Sequence, residues 1–314
     1  MKNYIVLLKK LLNILFFRRT WSIGYRFIDS ESFSLDEERK YNVIDSCLRW
    51  WYADPFCIKK DDKYYIFCEM LDSFSGRGSI GVFEYYDGVM SNIRQVLKEP
   101  FHLSYPNVFS YNNEYYMIPE TGDARQIRLY KATEFPYRWE LDTILLEGKK
   151  VVDSTILTIK DKMYLFAYDL SGNHGRLEIY DFDIDKKCLR KLDSNSFIDE
   201  DRKMRPAGNF LNNDKDIVRP AQYGTESYGI KLLFNKIEKM PDEGYQESTV
   251  SELTVSDITV FSNRKFTRVH TINRYCDMEV IDLFCIDFCM IKPVFVFTKL
   301  LVKIYEKIKQ WNSK

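Results

Sequence analysis

The sequence predicts an all-β protein, a five-bladed β-propeller with amphipathic helical extensions at its N- and C-termini. Three observations predict it. A hairpin-like unit recurs with a period of about 50 residues, the scale of one four-stranded blade. The 314 residues are 45% hydrophobic and 16% aromatic, which suits one large domain of half-buried strands. No linker rich in Pro, Gly or Ser divides the chain.

The repeat can be followed along the chain. Asp54-Pro55-Phe56 leads through Lys63-Tyr64-Tyr65-Ile66-Phe67 to Glu69. Tyr105-Pro106-Asn107 leads through Glu114-Tyr115-Tyr116-Met117-Ile118 to Glu120. Asp153-Ser154-Thr155 leads through Lys162-Met163-Tyr164-Leu165-Phe166 to Tyr168. Arg205-Pro206-Ala207-Gly208 leads through a turn at Asn212-Asn213-Asp214 to Arg219-Pro220-Ala221-Gln222. A degenerate fifth unit starts at His270-Thr271-Ile272-Asn273 and returns at Val280-Ile281-Asp282. In each, a polar residue opens a strand, a tight turn follows, and an apolar strand returns, which is a hairpin pattern. Alternating runs such as Ser79–Tyr85, Ile127–Lys131 and Leu177–Phe182 read as outer strands. The polar stretches 28–46 and 193–203 read as loops. The propeller is expected over residues 21–283, with helices at 1–20 and 284–314.

Both ends carry amphipathic helical patterns. Leu7, Leu8, Leu11, Leu12, Leu15 and Phe16 recur at helical spacing, with Lys9 and Lys10 interrupting the apolar run. That run is too short to span a bilayer, and no small-residue cleavage site follows. In the tail, Phe295, Phe297, Leu300, Leu301, Ile304 and Ile308 share a face, with lysines on the other side. Basic amphipathic helices suit an anionic membrane surface, although either could simply pack on the protein. The seven cysteines show no CxxC pair and no zinc spacing, so reduced cysteines in the cytoplasm are expected. The expected location is the cytoplasm, peripheral on the inner face of the membrane. Formal net charge is zero and no basic stripe is interleaved with aromatics, so nucleic-acid binding is not expected.

In a propeller the innermost strand of each blade lines the axis. Asp54, Tyr105, Asp153, Arg205 and His270 therefore converge on one funnel, with Glu69, Glu120 and Gln222 on its wall. Asn107, Thr155 and Asn273 add hydrogen-bonding groups, His102 borders the site, and Trp51 offers an aromatic face. This lining suits sugars. A lone Asp at a strand start is often only a turn residue, but five equivalent positions are polar or aromatic. Pro55, Pro106 and Pro206 read as structural, at positions needing no ladder donor. His174 lies in a turn and reads as a surface residue. No metal spacing and no Gly-rich nucleotide fingerprint is present, and no cofactor is expected.

The words Trp51-Tyr52-Ala53-Asp54-Pro55-Phe56, His102-Leu103-Ser104-Tyr105-Pro106, Met117-Ile118-Pro119-Glu120, Phe135-Pro136-Tyr137-Arg138-Trp139 and Arg205-Pro206-Ala207-Gly208 carry a resemblance. The chain resembles the five-bladed propeller superfamily of glycoside hydrolases that includes arabinanases and xylosidases. It is more similar still to a branch from bacterial surface-polysaccharide gene clusters, related to the N-terminal region of plant glucosamine inositolphosphorylceramide transferases. The resemblance implies that Asp54 is a base and that Asp153 tunes pKa and orients substrate. The hydrolases place a glutamic acid where this chain has Arg205, so that proton donor is missing, which counts against ordinary hydrolysis unless Glu120 of the neighbouring blade substitutes for it. Arg205 and Arg219 suit phosphate, which a forked guanidinium binds in bidentate fashion. The expected activity is glycosyl transfer from a sugar nucleotide or sugar phosphate to a glycan acceptor in lipopolysaccharide or capsule synthesis, alongside partner enzymes. The alternatives are glycoside hydrolysis and glycan binding without catalysis.

Overall fold

A computed structural model describes residues 10–312, save 30, 31, 35, 200–202, 214, 215 and 225–228. Five antiparallel blades surround an axis. Blade I runs outward from Trp50–Lys60 through Lys63–Asp72 to Gly78–Tyr86, which pairs two short edge strands. Blade II orders Ser104–Tyr111, Glu114–Glu120, Gln126–Glu134 and Arg138–Glu147. Blade III orders Val151–Ile159, Lys162–Asp169, Arg176–Asp183 and Cys188–Ile198. Blade IV orders Leu211–Asn213, Asp216–Tyr223, Lys231–Lys239 and Gln246–Leu253.

Blade V closes the ring with both ends of the propeller. Ile272–Tyr275 is innermost and pairs with Met278–Phe288, which pairs along its whole length with Phe17–Phe27. Arg39–Ile44 lies outside it, edged by the parallel strand Ile258–Val260. The fifth unit expected at His270 thus forms, with its two outer strands drawn from the start of the chain.

There is no central core. Apolar side chains fill five layers between neighbouring blades, because each sheet must bury both faces. Phe56, Phe67 and Trp139 lie between blades I and II, and Tyr116, Leu129 and Leu165 between II and III. Phe166 and Tyr245 fill the III–IV layer, Phe234 and Leu283 the IV–V layer, and Ile23, Ile66 and Val280 the V–I layer.

The ends differ from expectation by a few residues. Helix α1 occupies residues 10–16, and residues 1–9 of the expected helix lie outside the described residues, as does Asp214 of the expected turn. Phe17–Thr20 and Phe284–Phe288 are paired strand rather than helix, since the register continues without a break from Phe27↔Met278 to Phe17↔Phe288. Helix α2 spans Lys292–Asn312. Two stretches read as loops contain strands: Arg39–Ile44, and the end of Cys188–Ile198. Ladder pairing with a neighbouring strand outweighed their polar composition. No helix among the described residues is long and apolar enough to cross a membrane. None of the seven cysteines, all among the described residues, forms a disulfide.

Candidate functional site

The first three blades share one local device. Where each innermost strand begins, two residues oppose one on the second strand: between Ala53 and Phe56, Ser104 and Asn107, and Val152 and Thr155. The first residue of each bulge is left-handed, with φ of 49° at Asp54, 45° at Tyr105 and 49° at Asp153. Non-glycine residues pay about 1–2 kcal/mol for that conformation. Bulges re-aim side chains and recur beside active sites. The proline after Asp54 and after Tyr105 sits at the unpaired bulge position, where its missing donor does no harm.

Asp54 anchors the first of two charged clusters. His270 lies between two carboxylates, with Nε2 3.0 Å from Asp54 Oδ1 and Nδ1 2.8 Å from Asp282 Oδ2. All three are buried. Burial opposes the imidazolium, but the Asp282 and Asp54 charges outweigh it and push the pKa of His270 up to about 10. Burial likewise works against the Asp282 carboxylate, yet the imidazolium holds its pKa low. Asp282 also accepts the backbone N–H groups of His270 and Thr271, each at 3.0 Å, and that of Asp54 at 3.1 Å. The Thr271 hydroxyl donates to both Asp282 and Asp54. Trp21 packs on His270 with ring centroids 4.2 Å apart. Gly229 makes this possible: its φ is +71°, and a Cβ there would lie 2.9 Å from Trp21 and 3.1 Å from His270. Ligating atoms of Asp54, His270 and Asp282 lie within 4.8 Å of one another, compact enough for a small cation. Both imidazole nitrogens already face carboxylates, however, so His270 is itself the cation of the cluster.

Asp153 anchors the second cluster. The Arg205 guanidinium donates to Asp153 and lies 3.8 Å from Glu120 Oε2. Gln222 donates to Asp153 at 3.0 Å and to the Pro206 carbonyl at 2.9 Å. Its Oε1 is buried and has no partner among the described residues. Burial and then the Asp153 charge raise the pKa of Glu120 to about 8, against the pull of Arg205. Glu120 therefore carries a proton at neutral pH. Its side chain is 17% exposed and that of Arg205 24%, so both border the open end of the site while Asp153 lies behind them. His102 is 29% exposed and sets Nε2 3.2 Å from Glu69 Oε1, while its Nδ1 accepts the Gly78 N–H.

Four residues expected to bind substrate instead tie the blades together. Tyr105 Oη bonds Thr155 Oγ1 at 2.8 Å and accepts the Gly208 N–H at 2.6 Å, joining blades II, III and IV. Asn107 donates to Asn209, whose backbone N–H donates to Asn273, which donates in turn to the Pro55 carbonyl. Tyr105, Thr155, Asn107 and Asn273 are all buried, so they form a belt that closes the axis. Arg219 also departs from expectation. It lies in the III–IV layer, buried, with Nε and Nη2 on the two carboxylate oxygens of Glu247. Its charge is neutralised where it stands, because the pleat of its strand turns it between blades. Trp51 is half-buried against Trp21 and Phe284, and His174 is exposed as expected. The sequence reading missed Asp282, Thr271 and Trp21. The available signal for Asp282 was a lone acid between Ile281 and Leu283, on the inner face of a strand in the fifth unit.

Residues 43–288 match the family described as glucosamine inositolphosphorylceramide transferase 1, N-terminal. The chain is 33% identical over 208 residues to glucosamine inositolphosphorylceramide transferase 1 of Oryza sativa subsp. japonica, covering 63% of this chain and 28% of that protein. It is 32% identical over 260 residues to the Arabidopsis thaliana protein of the same name, covering 74% of this chain and 34% of that one. The chain thus spans about a third of its relatives' length. Among solved structures, an α-L-arabinofuranosidase from Podospora anserina superposes with a TM-score of 0.55 at 8% identity, over 85% of this chain and 97% of that one. One from Coprinopsis cinerea gives 0.53 at 9% identity, over 83% and 97%. At these identities the two share the fold.

Proposed function

Because the chain belongs to the family of the N-terminal region of glucosamine inositolphosphorylceramide transferase 1, we propose that it is a glycosyltransferase-like protein of bacterial surface-glycan assembly. It works on the inner face of the cytoplasmic membrane, beside the partner enzymes of that assembly. The observation that supports this reading is the presence of two charged clusters at the inner strands of the blades. In one, Asp54 is oriented by an imidazolium. In the other, Glu120 retains a proton to about pH 8. Carboxyl groups driven to opposite roles by their surroundings are how acid and base are assigned at a glycosidic bond. In the proposed step, the bond from the sugar's anomeric carbon to its leaving oxygen breaks, and a bond to the acceptor oxygen forms. The acceptor's proton goes to Asp54, and the leaving oxygen either takes the proton of Glu120 or departs as a phosphate anion. Gln222 Oε1 can accept a sugar hydroxyl.

The proton on Glu120 also favours a second reading, in which the acceptor is water and the reaction is hydrolysis. A thermal-shift screen with sugar nucleotides, sugar phosphates and oligosaccharides identifies the ligand, since whatever binds the native state raises its melting temperature. Asp54→Asn is expected to keep that shift and to lower turnover by 10²-fold or more, about the contribution of a positioned base. Full turnover by the variant would show that Asp54 is not the base. A ligand shift with no turnover in either form would make the protein a glycan-binding module.

A further inference from the structure

Helix α2 is fastened at two places. Its first turns are seated on blade I, where the buried Phe295 ring lies 4.8 Å from that of Phe74 and the Thr298 hydroxyl donates to the Phe74 carbonyl at 3.1 Å. Lys299 lies over the Gly76 turn. Its first residue is fastened to α1: Lys292 Nζ donates to the Asn13 carbonyl at 3.4 Å and to the Phe17 carbonyl at 2.6 Å. At that junction, beside the strands that close the ring, lies a cavity of about 440 Å³. Asn13, Ile14, Phe17, Arg19, Ile286 and Lys292 line it.

The pleat decides which charges enter it. Arg19 stands opposite Ile286, and Phe17 opposite Phe288, so these four share one face. Arg18 stands opposite Asp287 on the other face, where Asp287 is taken by Arg264 and the Thr20 hydroxyl. Two cations are left at the cavity, with no carboxylate in its lining. The Arg19 guanidinium has no hydrogen bond or ion pair among the described residues. Lys292 spends two of its three donors on carbonyls, which leave its charge unneutralised. Residues 1–9 bring no acid, because the sequence has no Asp or Glu before Asp29. The single acid in the sequence of α2, Glu306, is 14 positions from Lys292, about 21 Å along a helix axis. The two charges act on each other: burial and then Arg19 hold the pKa of Lys292 below that of an ordinary lysine, with Cys289 opposing.

The surroundings are apolar and open. Ile14 is 61% exposed, Ile286 51% and Phe288 63%, and Val296, one turn along α2 from Lys292, is exposed too. A soluble anion has no use for such a rim, whereas a phospholipid presents a phosphate and acyl chains together. We propose that this cavity is a headgroup site for an anionic phospholipid, with Arg19 and Lys292 on the phosphate and Ile14, Phe17 and Ile286 against the glycerol and the first acyl carbons. A guanidinium fork matches phosphate oxygens, and an ammonium adds a compact charge beside it. The inference rests on the reading that places the protein at the inner face of the membrane, and it gives that reading a fixed point of contact at the seam where the ring closes.

The test is calorimetric titration of the full chain with dihexanoyl phosphatidylglycerol below its micelle concentration. Saturable binding at one site is expected, weakened by added salt. Arg19→Gln is expected to weaken it about tenfold, the usual worth of a hydrogen bond between charged groups, while Arg19→Lys, which keeps the charge, retains part of the affinity. Arg19 is exposed, so neither exchange should move the melting temperature. Equal affinity for dihexanoyl phosphatidylcholine, or an Arg19→Gln variant that binds like the parent, overturns the proposal. Equal affinity for inorganic phosphate overturns it as well, since a soluble anion would then suffice. Sedimentation with phosphatidylglycerol vesicles separates this site from the membrane reading. A parent that sediments but binds no monomeric lipid refutes this site alone, whereas one that binds the lipid but stays in the supernatant refutes the membrane location alone.

Discussion

Glu120 is where residue-scale physics bears most directly on chemistry. Its carboxyl group is largely desolvated beside Asp153, and those two effects exceed the attraction of Arg205. An acid whose folded pKa lies near 8, above its ordinary value, works protonated below that pH. If Glu120 is the proton donor, activity should fall as pH rises through about 8, and Glu120→Gln should lose both the activity and that limb of the profile. Stability follows the same sign. The stabilising contribution of protonated Glu120 is complete below the unfolded carboxyl value and is lost as pH rises toward 8. Above pH 8 the Gln variant, neutral and of similar shape, should therefore melt higher than the parent. A lower melting temperature there, by scanning calorimetry, would show that the ionised carboxylate is the form the fold prefers. The position of Asp54 at the start of an inner strand was legible from its place in the repeat. Its partner Asp282 was not, because a buried carboxylate in an apolar strand is recognised only once the imidazolium facing it is known.

At the scale of elements, α2 is inverted relative to an ordinary packed helix. Phe295, Thr298, Lys299 and Val302 form its protein side, while Phe297, Leu300, Leu301, Ile304, Ile308 and Trp311 are exposed. Leu11, Leu12 and Ile14 of α1 are exposed as well. The helices meet where Lys292 Nζ bonds the Asn13 and Phe17 carbonyls. A contiguous apolar surface with flanking lysines is the arrangement of an interfacial helix. Leu301→Ser/Ile304→Ser is expected to reduce binding to phosphatidylglycerol vesicles at least tenfold in a sedimentation assay, since each side chain contributes on the order of 1.5–3 kcal/mol when buried. Its melting temperature should stay that of the parent. Equal sedimentation of both forms would assign the apolar stripe to some other contact. The sequence showed that both ends were amphipathic, but it did not show which side each helix would turn to the protein. That was settled by the Phe74 seat and the Gly76 turn.

For the whole molecule the decisive feature is ring closure. Eleven register pairs join Phe17–Phe27 to Met278–Phe288, and no blade buries its faces without two neighbours. Removing residues 1–27 should therefore abolish cooperative unfolding of the entire propeller rather than shorten it by one strand. A variant that still melts in a sharp transition, followed by near-ultraviolet circular dichroism, would mean that four blades suffice.

The sequence by itself determined the blade count, the hairpins and the residues that open each inner strand, because repeated local patterns are written in order along the chain. It also marked Asp54, Glu120, Asp153, Arg205 and His270 as neighbours of one axis. Only the tertiary structure decided which polar residues of the inner strands stay partly exposed and which are buried as ties. Tyr105, Thr155, Asn107 and Asn273 look identical in kind to the funnel residues, yet they satisfy one another across three or four blades. Arg219 is separated from Arg205 by 14 positions: Arg205 lies ahead of the strands of blade IV with its guanidinium on Asp153, whereas Arg219 lies within Asp216–Tyr223 with its guanidinium in a buried pair with Glu247. Partners of that kind lie far apart in sequence, and a polar group's role depends on which partner it meets.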